Sequence, residues 1–434
     1  MASERAERSG AQRPGGAAAK SRSSDPVFVL GGAQTDFARN LTREGTTLAE
    51  LCAEATQAGM AVAGVEATEI EVGHVGNFAG ELFCGQGHLG GLLVEADPAF
   101  AGLPTMRHES ACASGSMAVL AAMADIEAGR YHCAVVLGVE VMRTTDPVTV
   151  QAHLGAAAWV PRETEGVEYP WPALFGELGD EYERRYGLDP DHLAEIAKIN
   201  FANAKRNPNA QARDWHFEDA DFARDSAKNP VIAGRIQRQD CSQVTDGAAC
   251  VVLAGERFAA AWAQRHRRSL DHTARLAGWG HRTARMALAD KLADSKDDPY
   301  VAPFVRQTVV DAYTRAGIAD ARDLDAVEVH DCFTTTEYLA IDHLGLTAPG
   351  QSWRAVEDGI IGPDGAVPIN PSGGLIGGGH PVGATGVRMV LDATKQVTET
   401  AGDYQVDGAR TVATLNLGGS ATTSAAFVLT TGAA

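Results

Sequence analysis

The sequence predicts an α/β protein built from two similar halves. Three observations carry this reading. A chain of 434 residues is too long for one ordinary core. Short apolar runs alternate with segments of helical periodicity. The order strand, tight turn, small-residue helix occurs before about residue 160 and recurs after about residue 270. The composition agrees: 45% hydrophobic residues, 6% aromatic residues and 47 glycines suit Ala/Gly/Val-rich helices packed closely on sheets.

Taken in chain order, residues 1–26 carry no apolar core and read as a disordered tail rather than a signal peptide. "VFVLGGAQTDF" (27–37) reads as a buried strand that ends in a Gly-Gly turn. "TLAELCAEATQAGMAVAG" has apolar residues at helical spacing, and "IEVGHVGNF" reads as a strand. "CASGSMAVLAAMADIEAG" predicts a helix closed by Gly129, and "HCAVVLGVEVM" another buried strand. Strands apolar on both faces imply a sheet covered on both sides.

Residues 161–244 change character, being charged, aromatic and helical with breaks at Pro and Gly. They read as an insertion into a first half spanning 27–269, and as the builder of the substrate pocket. "DGAACVVLAG" (246–255) returns to a buried strand. The second half, 270–434, gives a strand at "ARLAGWG", an amphipathic helix at "PFVRQTVVDAYTRAGI" and a strand at "LDAVEVHDCF". It closes with a glycine-rich turn entering a helix at "GHPVGATGVRMVLDATKQV" and a hairpin at "ARTVATLNLGGSATTSAAFVLT".

The formal charge of -19 excludes a general nucleic-acid binder, which needs clustered Lys and Arg. An anionic substrate would need a local basic patch. Arg235, Arg238, Lys291 and Lys296 are candidate phosphate contacts, although each reads first as a solvated surface charge. The seven cysteines are an odd number without a CxxC, so no disulfide framework and no metal site is expected, and a reducing compartment fits. No apolar run is long enough for a bilayer, Glu4 and Glu7 speak against a mitochondrial presequence, and "TTGAA" is not a peroxisomal tripeptide. A cytoplasmic location is the expectation.

Cys112, in "HESACASGSMAVLAAM", falls at a predicted helix N-terminus, where free N–H groups and the helix dipole favour a thiolate. A cysteine is more often a small buried hydrophobe, and Cys52, Cys84, Cys133, Cys241 and Cys250 take that reading. Cys112 gains partners elsewhere. His380 lies among seven glycines in "NPSGGLIGGGHPVGATG", where backbone and substrate can approach closely, and an imidazole is a suitable base for a thiol. "HDCF" follows a predicted strand, so its side chains project from a strand end. His330 there could donate to a substrate carbonyl, and Cys332 is a second thiol. In "LNLGGSATT" the turn at Gly418 and Gly419 either completes an oxyanion hole or is only a hairpin.

These stretches together resemble the thiolase superfamily, most closely its sterol-carrier-protein-2 (SCP2) type. The likeness runs from about Val27 to Leu429 through "SACASGSMA", "HDCF", "NPSGGLIGGGHPVGATG" and "NLGG". It implies a five-layered αβαβα thiolase fold and a homodimer or homotetramer. Cys112 matches the acyl-accepting nucleophile, and His380 the histidine that activates it and helps bind the thioester oxygen. His330 matches the residue that shapes the oxyanion site, and the N–H groups of Cys112 and Gly418 match the second oxyanion hole. Asn416 stands where most thiolases carry a second catalytic cysteine, and Cys332 matches its proposed substitute. The implied reaction is CoA-dependent cleavage of a 3-ketoacyl-CoA, or the reverse condensation, with coenzyme A as substrate and no permanently bound cofactor. Two other enzyme readings stay open: a decarboxylating condensing enzyme of the ketoacyl-synthase kind, and a thiolase-like C-acyltransferase or retro-aldolase working with a small OB-fold partner. A non-catalytic acyl-thioester-binding scaffold would be expected to lack Cys112 or His380.

Overall fold

The computed structural model describes residues 25–431. The expected tail, apart from Asp25 and Pro26, lies outside the described residues. Eleven strands form in chain order: β1 Val27–Gln34, β2 Val72–Gly76, β3 Thr105–His108, β4 Cys133–Glu140, β5 Val231–Ala233, β6 Ile236–Gln237, β7 Gly247–Gly255, β8 Ala274–Thr283, β9 Ala326–Val329, β10 Thr411–Gly418 and β11 Thr423–Thr430. Nine of them make one sheet in the order β3-β2-β4-β7-β1-β8-β11-β10-β9, and β5 pairs with β6 alone.

That order contains the duplication. In the first half β2 runs parallel to β4, and β4, β7 and β1 are successively antiparallel. In the second half β9 runs parallel to β10, and β10, β11 and β8 are successively antiparallel. The halves repeat one topology and join edge to edge through only two residue pairs, Phe28 with Arg275 and Val29 with Ala274. The repeat extends to the helices, since Ser114–Glu127 leads into β4 and Thr385–Val397 leads into β10.

Strand periodicity explains the layers. Along β4, Val135, Leu137 and Val139 join a cluster with Leu51, Cys52 and Trp262 from the outer helices, whereas Ala134 and Val136 face a middle cluster with Val119 and Val387. Along β11, Phe427 and Leu429 face the same middle cluster, and Ala426 and Val428 face a third cluster with Val305 and Leu339. Alternate residues therefore feed different cores, which makes five layers: helices, sheet, two central helices, sheet, helices. The αβαβα expectation holds.

One local expectation fails. Gly31 and Gly32 do not turn the chain; β1 continues through them to Gln34 with a register shift between Val29 and Gly31. A Cβ on Gly32 would sit 2.3 Å from the Cys250 carbonyl oxygen, and one on Gly31 2.9 Å from the Ala63 backbone. These glycines serve close packing in a bulged strand.

The region 161–244 contributes the helices Pro170–Tyr186 and Pro190–Ala204 and the β5-β6 ribbon. Both helices start on proline, which needs no hydrogen-bond partner there, and Asp189 caps the second by accepting from the Asp191 N–H.

Candidate active site

Cys112 lies in the single 3-10 turn Ala111–Ala113 that precedes the central helix Ser114–Glu127. Ala111 has φ +51°, a left-handed conformation that costs an L-residue about 1–2 kcal/mol. The bend is held from both sides: the Ala111 N–H donates to Glu109 Oε1 at 2.6 Å, and the Ser114 hydroxyl donates to the Ala111 carbonyl at 2.6 Å. It turns the thiol out of the helix and into a cavity of about 450 Å³ that Cys112, Cys332, His330, His380 and Gly419 line together.

The two central helices meet almost backbone to backbone at this end. A Cβ on Gly115 would sit 2.8 Å from the Gly383 carbonyl oxygen, and one on Gly386 2.3 Å from the Ser116 nitrogen. Only hydrogen at those positions lets the turn before Thr385–Val397 approach the turn that carries Cys112. Glu140, at the end of β4, reinforces the approach by accepting from the Phe78, Ala79 and Gly383 N–H groups and from Asn77 Nδ2. Burial pushes the Glu140 carboxyl up to about 7 against those donors.

His380 follows the glycine-rich loop. Its N–H donates to Thr245 Oγ1 at 2.8 Å, and its Nδ1 lies 2.7 Å from Thr385 Oγ1. The Thr385 hydroxyl donates its own proton to the Pro381 carbonyl at 3.1 Å, so Nδ1 carries the ring proton and Nε2 keeps its lone pair.

His330, just past β9, is fixed by Asn416. The Asn416 amide nitrogen faces the Cys112 carbonyl at 3.2 Å and Ser116 Oγ at 2.9 Å, so its Oδ1 is the atom that meets His330 Nδ1 at 2.9 Å. His330 Nδ1 is thereby the donor, and Nε2 is again unprotonated. The expected donation from His330 to a substrate carbonyl would then have to come from Nε2. Nε2 could donate only as imidazolium, and burial holds His330 down at about 3.

One nitrogen from each ring and the Cys112 sulphur all lie within 4.8 Å of one another, and the rings meet edge to face at 5.2 Å. A thiol and two imidazole lone pairs at that spacing could also converge on a soft divalent cation. Burial, with Glu140 behind it, pushes the Cys112 thiol up to about 12, although the Gly419 N–H and its own N–H favour the thiolate. Burial beside His330 and Arg388 holds His380 well below the usual histidine range. The helix terminus therefore does not win at rest, and the pair is a neutral thiol facing a neutral imidazole.

Cys332 is buried, with its sulphur 3.6 Å from Thr336 Oγ1, and burial next to Cys112 raises its thiol well above 9. Asp331 of the same tetrapeptide accepts from the Leu375 and Ile376 N–H groups at 2.6 and 3.1 Å, tying the strand end to the glycine-rich loop. Gly418 ends β10 against the Ser110 carbonyl oxygen, which a Cβ would approach to 2.2 Å, and the next residue, Gly419, lines the cavity together with Cys112. Cys241, expected to be packing, lines the cavity as a third thiol.

The rest of the cavity is mainly apolar, with Phe78, Met142, Leu154, Trp171, Phe175 and Phe333 in its walls together with Pro230, Ile232 and Val244. Arg238 is exposed and also lines it. Arg235 is engaged by Asp180 and Glu183, Lys296 stands beside Asp297 at 3.9 Å, and Lys291 donates to Ser420 and Thr422. Among the described residues no helix is long and apolar enough to cross a membrane.

The thiolase N-terminal domain family model matches residues 27–218, and the thiolase C-terminal domain-like model matches residues 287–431. An acetyl-CoA acetyltransferase of Methanothermobacter thermautotrophicus is 30% identical over 403 residues, covering 93% of this chain and 98% of its own length. The chain belongs to the thiolase superfamily. Within that superfamily it is of the SCP2 type: human sterol carrier protein 2 is 28% identical over 407 residues, covering 90% of this chain and 70% of that protein. Among solved structures this chain shares its fold with the Ltp2-ChsH2(DUF35) aldolase, at TM-score 0.74 and 19% identity over 94% of this chain and 98% of that one. It shares it also with human mitochondrial 3-ketoacyl-CoA thiolase, at TM-score 0.63 and 16% identity over 94% and 99%.

Proposed function

We propose that this thiolase cleaves a 3-ketoacyl-CoA with free CoA, or runs the reverse condensation, through an acyl group carried on Cys112. The observation that carries the reading is the convergence of two thiols and two imidazoles on one largely apolar cavity. His380 Nε2 takes the Cys112 proton as the sulphur attacks the 3-keto carbon. The imidazolium so formed becomes an N–H donor toward oxygen, which gives His380 its second task. The backbone N–H groups of Cys112 and of the Gly418-Gly419 turn stabilise the oxyanion on the acyl carbon. Cys332, a protonated thiol at rest, protonates the departing acetyl-CoA enolate, and CoA then collects the acyl group. His330, held neutral by burial and with Asn416 on its Nδ1, is the second proton acceptor of the site.

The test is CoA-dependent cleavage of acetoacetyl-CoA and of a longer 3-ketoacyl-CoA by wild type, Cys112→Ala and Cys332→Ala. Loss in both variants supports the two-thiol reaction. Decarboxylation of a malonyl thioester that survives Cys332→Ala would favour a ketoacyl-synthase-like enzyme instead. A second reading is retro-aldol cleavage or C-acyl transfer with a small OB-fold partner, favoured by the higher TM-score to the Ltp2-ChsH2(DUF35) aldolase. Wild type inert on every 3-ketoacyl-CoA when alone would point there. The reading includes a cytoplasmic homodimer or homotetramer, which light scattering tests for the assembly.

A further inference from the structure

The turn Gly418–Thr423 puts Gly419 in the cavity wall beside Cys112, where its backbone favours the thiolate, yet the turn's own backbone is strained. Gly419 has φ +61° and Ala421 φ +58°, and a left-handed alanine persists only where its surroundings enforce it. Within the turn two backbone bonds are available, Ala421 N–H to the Gly419 carbonyl at 2.9 Å and Thr422 N–H to the Gly418 carbonyl at 3.0 Å. From outside, the Lys291 ammonium donates to Ser420 Oγ at 2.7 Å, to Thr422 Oγ1 at 2.8 Å and to the Met286 carbonyl at 3.2 Å. All three of its donors are spent, two of them on the hydroxyls that flank Ala421. A lysine that hydrogen-bonds two hydroxyls instead of reaching for solvent is unusual, because a long charged side chain gives up rotamer freedom and hydration to do so. Burial lowers the Lys291 pKa to about 7, with Glu163 acting in the opposite sense. Glu163 spends its own oxygens on the Leu288 and Trp159 N–H groups, which fixes the start of the helix Leu288–Asp294 that carries Lys291.

We propose that Lys291 is a positioning residue for acyl transfer: it grips the turn through Ser420 and Thr422 and so holds the Gly419 backbone beside Cys112 and its N–H toward the oxyanion that forms there. The proposal rests on the Cys112 reading given above, and it assigns Lys291 no contact with substrate. Removing an oxyanion donor costs about 10²–10³-fold in kcat, and a donor displaced but not removed costs less.

The experiment compares wild type, Lys291→Met, Lys291→Arg and the double variant Ser420→Ala/Thr422→Val, by turnover of a 3-ketoacyl-CoA and by the rate of Cys112 alkylation with iodoacetamide at pH 8. Lys291→Met is expected to lower kcat about 10-fold or more with KM within about 2-fold, and to slow alkylation about 5-fold, because the thiolate loses a donor. The double variant keeps the lysine but loses the grip, and is expected to follow Lys291→Met. Lys291→Arg keeps the grip and is expected to stay within about 3-fold of wild type in both rates. Unchanged rates in Lys291→Met, or in the double variant, overturn the proposal. If Lys291→Met does not fold, the double variant decides alone. Alkylation needs no acyl substrate, so an enzyme inert toward every 3-ketoacyl-CoA whose Cys112 still responds to Lys291 would sink the acyl-transfer reading and leave the clamp standing.

Discussion

Gly386→Ala is the smallest change that tests whether the backbone seam between the central helices sets the distance from thiol to base. A Cβ there would sit 2.3 Å from the Ser116 nitrogen, 2.4 Å from Ser116 Oγ and 2.7 Å from Asn416 Nδ2. The first is backbone, and the other two are side-chain ends already bound to each other at 2.9 Å. To restore ordinary contact the two helix starts must separate by about 1 Å, and misplacement on that scale costs about 10²-fold in rate. Overpacking costs about 1–3 kcal/mol, opposed by a helix-propensity gain of at most about 1 kcal/mol. We expect kcat for 3-ketoacyl-CoA cleavage to fall about 100-fold, KM to change less than about 3-fold, and unfolding in guanidinium to show a loss of about 1–2 kcal/mol. Gly362→Ala is the control, since its Cβ would meet only the Gly359 carbonyl oxygen at 3.5 Å, and its cost should stay within about 0.5 kcal/mol. If Gly386→Ala matches that control in rate and stability, the seam does not fix the site and the reasoning is wrong.

Asn416→Ala strips partners from His330 Nδ1, Ser116 Oγ and the Cys112 carbonyl, all in the interior. A stability loss of about 2–3 kcal/mol with a kcat loss of at least about 10-fold should follow, and chemical denaturation showing less than about 1 kcal/mol would refute the role. The neutral resting pair of Cys112 and His380 predicts that alkylation of Cys112 climbs with pH from 7 to 10 without levelling. A plateau near pH 7 would instead mean a standing thiolate and imidazolium. His74 is fully buried against His108 and Asp125, and burial holds it at about 4. Its folded-state affinity for a proton lies below the unfolded value, so stability is present above pH 6.5 and is lost as pH falls toward 4. Between pH 7.5 and 5.0 wild type should lose about 2 kcal/mol more than His74→Gln in urea unfolding, and equal losses would sink that assignment.

The sequence made the periodic elements legible because both faces of the central strands such as β4 and β7 are apolar, and runs such as "HCAVVLGVEVM" admit few other readings. Cys112, His380, His330 and Cys332 were legible from their neighbours in the chain, and the fold brings them to one cavity. The missed parts depend on contacts across the chain. Asn416 lies 86 residues from His330 and 300 from Ser116, and nothing in "LNLGG" tells that its amide orientation chooses the tautomer of a distant ring. Glu140 ends an apolar strand and looks like a strand-end charge, although it gathers N–H groups from the loop at Phe78 and from Gly383. The Gly31-Gly32 pair signals a turn in local terms, and only the closeness of Ala63 and Cys250 makes it a bulge. The helix-terminus argument for a thiolate counts dipoles and omits desolvation, which is the larger effect at Cys112.

The mirrored sheet has a consequence for how the chain acquires reactivity. Cys112 belongs to the first repeat, whereas His330, His380 and the Gly419 turn belong to the second, and the edge that joins the repeats is only two residue pairs long. Neither repeat owns a working set of groups. A nascent or partly unfolded chain therefore carries Cys112 without its base, and the catalytic set is complete only once the repeats dock. Turnover thus acts as a reporter of assembly: fragments divided near Arg268, between the helix Glu256–His266 and β8, should be silent apart and regain activity only at the rate at which they recombine.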